Sequence, residues 1–99
     1  MTIVGVGDVV IRNLSTLTCF DRDFRKLDPQ LQKTVKEKLE DLLRDPRPSG
    51  LKFEKEKGYS NPDIYTIHVT GNYKISMEIV GDKATLRRVG NHDEIDRAP

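Results

Sequence analysis

Tryptophan is absent from this 99-residue chain, cysteine occurs once, and there are only two histidines. A single cysteine excludes an intramolecular disulfide and suits a reducing compartment. Two histidines and Cys19, without C-x-x-C or H-x-x-x-H spacing, fall short of a metal site, so neither a metal nor another cofactor is expected. No apolar run approaches the roughly 18–20 residues that a membrane span needs. The opening "MTIVGVGDVVIRNL" lacks a basic leader and carries Asp8, so it does not read as a secretory signal. Its "GVG" lacks the third glycine of a dinucleotide fingerprint, and no G-x-S-x-G elbow for acyl transfer occurs.

An excess of charge is also missing. With 17 basic and 16 acidic residues the net charge is +1, so no global field draws the protein to nucleic acid or to an anionic membrane. Any polyanion site must come from local arrangement. A hydrophobic content of 35% is lean but sufficient for one two-layer domain of this length. These features lead us to expect a soluble, cytoplasmic protein. Cys19 falls in an apolar run that reads as a strand, and a buried structural thiol is expected there.

The clearest element is "LDPQLQKTVKEKLEDLLRDP". Leu27, Leu31, Val35, Leu39, Leu42 and Leu43 recur every three or four residues and form one apolar stripe. Asp28 suits the N-cap and Pro29 the first helical position, where no amide donor is needed. Asp45-Pro46 marks the stop, because the proline ring disfavours helical geometry in the residue before it. The opposite face mixes Lys33, Lys36, Glu37, Glu40, Asp41 and Arg44, which reads as solvated. Ahead of it, a strand over "LSTLTCF" leads to a short helix over "CFDRDFRKL", with Phe20, Phe24 and Leu27 on one side. The two helices predict a hairpin.

Beyond the helix the pattern changes to period two. "LKFEKEKG" alternates around Leu51 and Phe53, and "SNPD" reads as a turn with Pro62 fixing its backbone. "IYTIHVT" sets Tyr65, Ile67 and Val69 on one face and Thr66 and His68 on the other. "YKISMEI" does the same with Tyr73, Ile75, Met77 and Ile79 against Lys74, Ser76 and Glu78. "GDK" is a tight turn, and "ATLRRV" a last strand of less regular alternation. The fold predicted is α+β: an N-terminal helical hairpin packed on a small antiparallel β-sheet.

Chemistry then rests on three residues that this sheet could gather at one end: His68, Lys74 on its hairpin neighbour, and His92 after the last strand. A histidine titrates near ~6.5 and can give or take a proton at neutral pH. A lysine holds a phosphate as a point charge. Such a trio fits metal-free RNA cleavage: a base at the 2′-hydroxyl, a cation at the phosphorane and an acid at the leaving 5′-oxygen. Spacing alone leaves the other reading open, in which His68 and Lys74 are solvated strand residues and His92 is a turn residue paired with Asp93 and Glu94.

The ordered set "FDRDFRKLDPQLQKTVKEKLEDLLRDPRPSGLKFEKEKG", "YTIHV", "NYKISMEI" and "VGNHDEI" resembles the RelE/ParE superfamily of bacterial toxins, in its RelE/YafQ-like branch. The resemblance spans residues 14–99 as one toxin domain and leaves residues 1–13 as an N-terminal extension. It implies the toxin of a type II toxin–antitoxin system that cuts translated mRNA at the ribosome without metal. The implied partners are a cognate antitoxin, mRNA and the ribosome. By position it makes His92 the general acid, His68 a second catalytic histidine and Lys74 the phosphate contact, with Tyr73, Lys52, Lys55, Asn72 and Arg88 binding substrate. Thr66 stands where RelE has a lysine, and "DEIDRAP" lacks the aromatic residue often found after the terminal histidine. A degenerate homologue that only binds its antitoxin, or a ParE-like gyrase inhibitor, are the alternatives on the same fold.

Overall fold

A computed structural model describes residues 10–44, 47–58 and 63–99. Strand β1 (Asn13–Thr16) leads into helix α1 (Thr18–Arg25), which turns into the longer α2 (Pro29–Leu42). Strands β2 (Glu54–Lys55), β3 (Ile64–His68), β4 (Tyr73–Val80) and β5 (Lys83–Asn91) follow, and a third helix, α3 (His92–Arg97), closes the chain. The five strands form one sheet in the order β1-β5-β4-β3-β2. The α+β fold read from the sequence is observed, with β2 to β5 antiparallel and β1 added parallel to β5. A parallel neighbour needs a long crossover, and here the helical hairpin and three strands supply it.

The helical hairpin forms for local reasons. Asp28 caps α2 by accepting the Leu31 amide at 2.8 Å, and Pro29 fills the first position. The Gln32 side-chain amide donates back to the Phe24 carbonyl at 3.0 Å and locks the turn between the helices. Phe20 and Phe24, one turn apart on α1, stack with ring centres 6.1 Å apart. The stripe of α2 buries Val35 and Leu42 fully and Leu31 and Leu39 in part, against Ile67, Ile75, Met77 and Leu86 of the sheet.

Several boundaries differ from the sequence reading. The first helix begins at Thr18, so "TCF" is helical, and Cys19 is exposed on α1 where a buried thiol was expected. Leu43 is exposed as the C-cap of α2, one position past the buried side of the helix. Strand β2 is only two residues long, and Leu51 is buried from a 3-10 turn instead. The expected helix stop at Asp45-Pro46, residues 60–62 of the expected "SNPD" turn and residues 1–9 lie outside the described residues. Of the expected extension, Ile11 is buried in the core and Asn13 begins β1.

The irregular alternation of "ATLRRV" has a specific cause. Met77 pairs with Leu86 but Ser76 with Arg88, so Arg87 is an extra residue in β5, a β-bulge. The bulge brings both Leu86 and Val89 to the helix side although they are three apart. It also divides the arginines: Arg87 pairs with Glu78, and Arg88 reaches Asp23 on α1. At the other end of β4, Gly81 adopts φ +62, which makes glycine the natural residue in the two-residue turn to β5.

Among the described residues no helix is long and apolar enough to cross a membrane. Leu42, the last residue of α2, is fully buried in the core. We expect Leu42→Ala to cost about 2–5 kcal/mol in urea unfolding, through lost burial and the cavity left behind. A change below that range would place the core elsewhere.

Candidate functional site: a histidine pair and a buried lysine

Pleating sends alternate residues of β3 and β4 to opposite faces. Tyr65 and Ile67 pair with Met77 and Ile75 on the helix side. The other face carries Ile64, Thr66 and His68 of β3 opposite Glu78, Ser76 and Lys74 of β4. Lys74 has Gly90 of β5 on its second side, and α3 lies over that glycine. A Cβ at residue 90 would meet Ile95 Cδ1 at 3.6 Å and Glu94 Oε1 at 3.4 Å.

Helix α3 was not expected; the sequence reading left His92 in a turn. The signal was present in "NHDE". Asn91 accepts the Glu94 amide at 2.9 Å and Glu94 Oε1 accepts the Asn91 amide at 3.4 Å, a capping box. Asp93 and Glu94 thus serve the positive end of the helix and Arg97 its last turn. His92 becomes the first helical residue, and its backbone amide donates to the Asn72 carbonyl at 3.0 Å, tying it to the β3–β4 turn. Asp96 follows four residues later, on the same side of α3 as His92.

Three expected residues converge. His68 and Lys74 are cross-strand partners, and the His92 ring meets the His68 ring edge-on with centres 4.7 Å apart. The Nε2 of His92 is buried and has no hydrogen-bond partner. Lys74 is only 9% exposed, and its ammonium donates to Asp96 Oδ1 at 2.8 Å with Glu56 Oε1 at 4.0 Å. Glu56 is itself held by the hydroxyl of buried Thr66 at 3.0 Å. Burial holds the His68 pKa below its ordinary value of 6.5, and the nearby charges of His92, Lys74 and Lys52 lower it further against an opposing pull from Glu54. The hydrogen bond from Lys74 lowers the Asp96 pKa.

The remaining expected residues are dispersed. Lys52 stands at the rim in a left-handed conformation, φ +51. Asn72 lines a surface pocket of about 410 Å³ with Gly71, Asn91, His92 and Asp93. Tyr73 packs against the core on the helix side. Lys55 pairs with Asp63 at 3.5 Å, and Arg88 pairs with Asp23 at 3.0 Å. These three are not brought to the histidines. Sequence reasoning missed Asp96 and Glu56. The register of a helix beginning at His92 would have exposed the first, and continuing the β2–β3 ladder to the Glu56 amide, which donates to the Ile64 carbonyl at 2.7 Å, the second. Among the described residues no group of three or more His, Cys, Asp and Glu is arranged to hold a metal ion.

The chain is similar along most of its length to solved toxin–antitoxin structures. A chain of the RelB–RelE antitoxin–toxin complex from Methanococcus jannaschii is 30% identical, with 86% of this chain and 99% of that one covered and a TM-score of 0.60. A chain of the E. coli DinJ–YafQ complex has a TM-score of 0.70 at 14% identity, covering 87% and 98%. One from the Pyrococcus horikoshii OT3 RelE–RelB complex has 0.64 at 13%, covering 80% and 92%. No family model and no curated protein sequence matches the chain. The identity over almost the full length of the Methanococcus relative shows that the chain belongs to the RelE-like toxin family.

The depressed pKa of His68 has a measurable sign. The unfolded state takes up a proton near 6.5 while folded His68 resists it. This contribution to stability is complete above pH 6.5 and is lost as pH falls through the lowered folded value. We expect NMR titration of the His68 ring to give a midpoint below 6.5, raised in Lys74→Met, where one repelling charge is gone. A midpoint at or above 6.5 in the wild type would contradict the packing described.

Proposed function

We propose that this protein is the toxin of a toxin–antitoxin pair and acts in the cytoplasm as a metal-independent endoribonuclease on translated mRNA at the ribosome. Membership of the RelE-like family supports the toxin assignment, and relatives seen in complex with RelB or DinJ support an antitoxin partner. The observation that carries the chemistry is the convergence of His68, His92 and Lys74 at one end of the sheet.

Lys74 would hold the non-bridging oxygens of the scissile phosphate and offset the charge that grows in the phosphorane. His68, kept neutral by burial and by its cationic neighbours, would accept the 2′-hydroxyl proton. The 2′-oxygen then bonds to phosphorus as the bond to the 5′-oxygen breaks, and protonated His92 delivers a proton to that oxygen. The products are a 2′,3′-cyclic phosphate and a 5′-hydroxyl. An unpartnered ring nitrogen is costly when buried, and the leaving oxygen would satisfy the Nε2 of His92 once the His68 ring turns aside.

A second reading has one specific observation behind it: Lys74 is already paired with two carboxylates, and Thr66 lies beside them in place of a cation. A homologue that only binds its antitoxin would tolerate this. Brief induction followed by primer extension on a translated message separates the readings. We expect cuts within the reading frame, reduced roughly 10²–10⁴-fold by His92→Ala. The fold should persist, because His92 anchors to Asn72 through its backbone. Lys74→Arg should retain cleavage, since the fork of arginine suits phosphate. A folded wild type that makes no cuts would overturn the nuclease assignment and leave the antitoxin-binding homologue.

A further inference from the structure

Lys74 already holds an anion, and that anion belongs to the chain. Asp96 Oδ1 lies 2.8 Å from the ammonium, a charge-assisted hydrogen-bond distance, while Glu56 stands off at 4.0 Å and is engaged by Thr66. The Lys74 side chain is 11% exposed and that of Asp96 53% exposed. The lysine is therefore fixed within the sheet and its carboxylate partner reaches it from solvent. Asp96 also comes from α3, a six-residue helix at the end of the chain whose one buried side chain is Ile95. The pair thus joins a rigid cation to an anion that can leave by rotating its own side chain, without unfolding the helix.

We propose that Asp96 is an internal competitor for the phosphate seat: its carboxylate occupies the place on Lys74 that the substrate phosphate takes, so substrate binds by displacing it. This rests on the reading of Lys74 as the phosphate contact. Two features support competition over mere positioning. The lysine keeps a second carboxylate, Glu56, within 4.0 Å when Asp96 departs, so its charge is not stranded. A phosphate entering with both carboxylates in place would meet two negative charges around one positive charge. Asp96 therefore determines affinity, tuning how readily the site accepts RNA. At rest both carboxylates face the one ammonium, in a protein whose net charge of +1 gives little general attraction for nucleic acid.

The test is equilibrium binding of a fully 2′-O-methyl oligoribonucleotide, which lacks the attacking hydroxyl, followed by fluorescence anisotropy at fixed low salt. Wild type, Asp96→Asn, Lys74→Ala and the double variant are compared, with thermal melts confirming the fold of each. Asp96→Asn should bind roughly tenfold more tightly, the order of one charged hydrogen bond relieved. The gain should vanish in the double variant, because the competition exists only on Lys74. If Lys74→Ala weakens binding but Asp96→Asn leaves it unchanged or weaker, the competitor role is overturned and the phosphate contact stands. A gain that survives in the double variant is general charge repulsion and also overturns the proposal. If Lys74→Ala binds as wild type does, the phosphate reading of Lys74 fails, and the competitor falls with it.

Discussion

Lys74 carries its charge into a face of the sheet where Thr66 and Ser76 are buried on either side of the same strand pair. An ammonium removed from water must have an anion within hydrogen-bond reach, and its position limits what can surround it. Gly90 pairs with it on β5, and α3 lies over that glycine with Glu94 and Ile95 at contact distance. From that height α3 delivers Asp96 to the ammonium and, one turn earlier, His92 to His68. Strand pairing sets His68 beside Lys74, and the packing that neutralises the lysine brings His92 to His68.

The helix layer works on the opposite side and under a different constraint. There the leucine stripe of α2 and the phenylalanines of α1 require a continuous apolar surface from the sheet. The bulge at Arg87 reconciles this with a strand whose sequence would otherwise turn Leu86 and Val89 to opposite faces. It releases Arg88 toward Asp23, whose carboxylate also accepts the Val89 amide at 3.3 Å. Strand β5 is thereby pinned to α1 just before it runs into Asn91, and the N-terminus of α3 starts from a defined place. Packing on one face sets the geometry of the other.

Much of this was legible in the sequence, for physical reasons. The α2 stripe with Asp28-Pro29 in front of it admits one register of helix, and the alternation in β3 and β4 puts His68 and Lys74 on one face. That same alternation assigned Tyr73 to the core, where it lies, although the family resemblance drew it toward substrate. Cys19 misled because a segment as short as "LSTLTCF" fits strand and helix equally. Counterions were the least legible part. Asp96 and Glu56 meet Lys74 from elements 22 and 18 residues away in sequence. No periodicity within one element reports such a meeting. The capping box of "NHDE" was readable, and recognising it would have converted His92 from a turn residue into the head of a helix with Asp96 one turn on.

The central claim is that side chains alone, a lysine and two histidines, run a 2′-hydroxyl attack on phosphorus. The end groups left on cleaved message report that chemistry most directly. Mass spectrometry of mRNA fragments recovered after brief expression should show a 2′,3′-cyclic phosphate, or the monophosphate formed from it, on the upstream piece and a 5′-hydroxyl on the downstream piece. A 3′-hydroxyl upstream and a 5′-phosphate downstream would mean that water, not the 2′-oxygen, attacked, and would contradict the roles given to His68, Lys74 and His92.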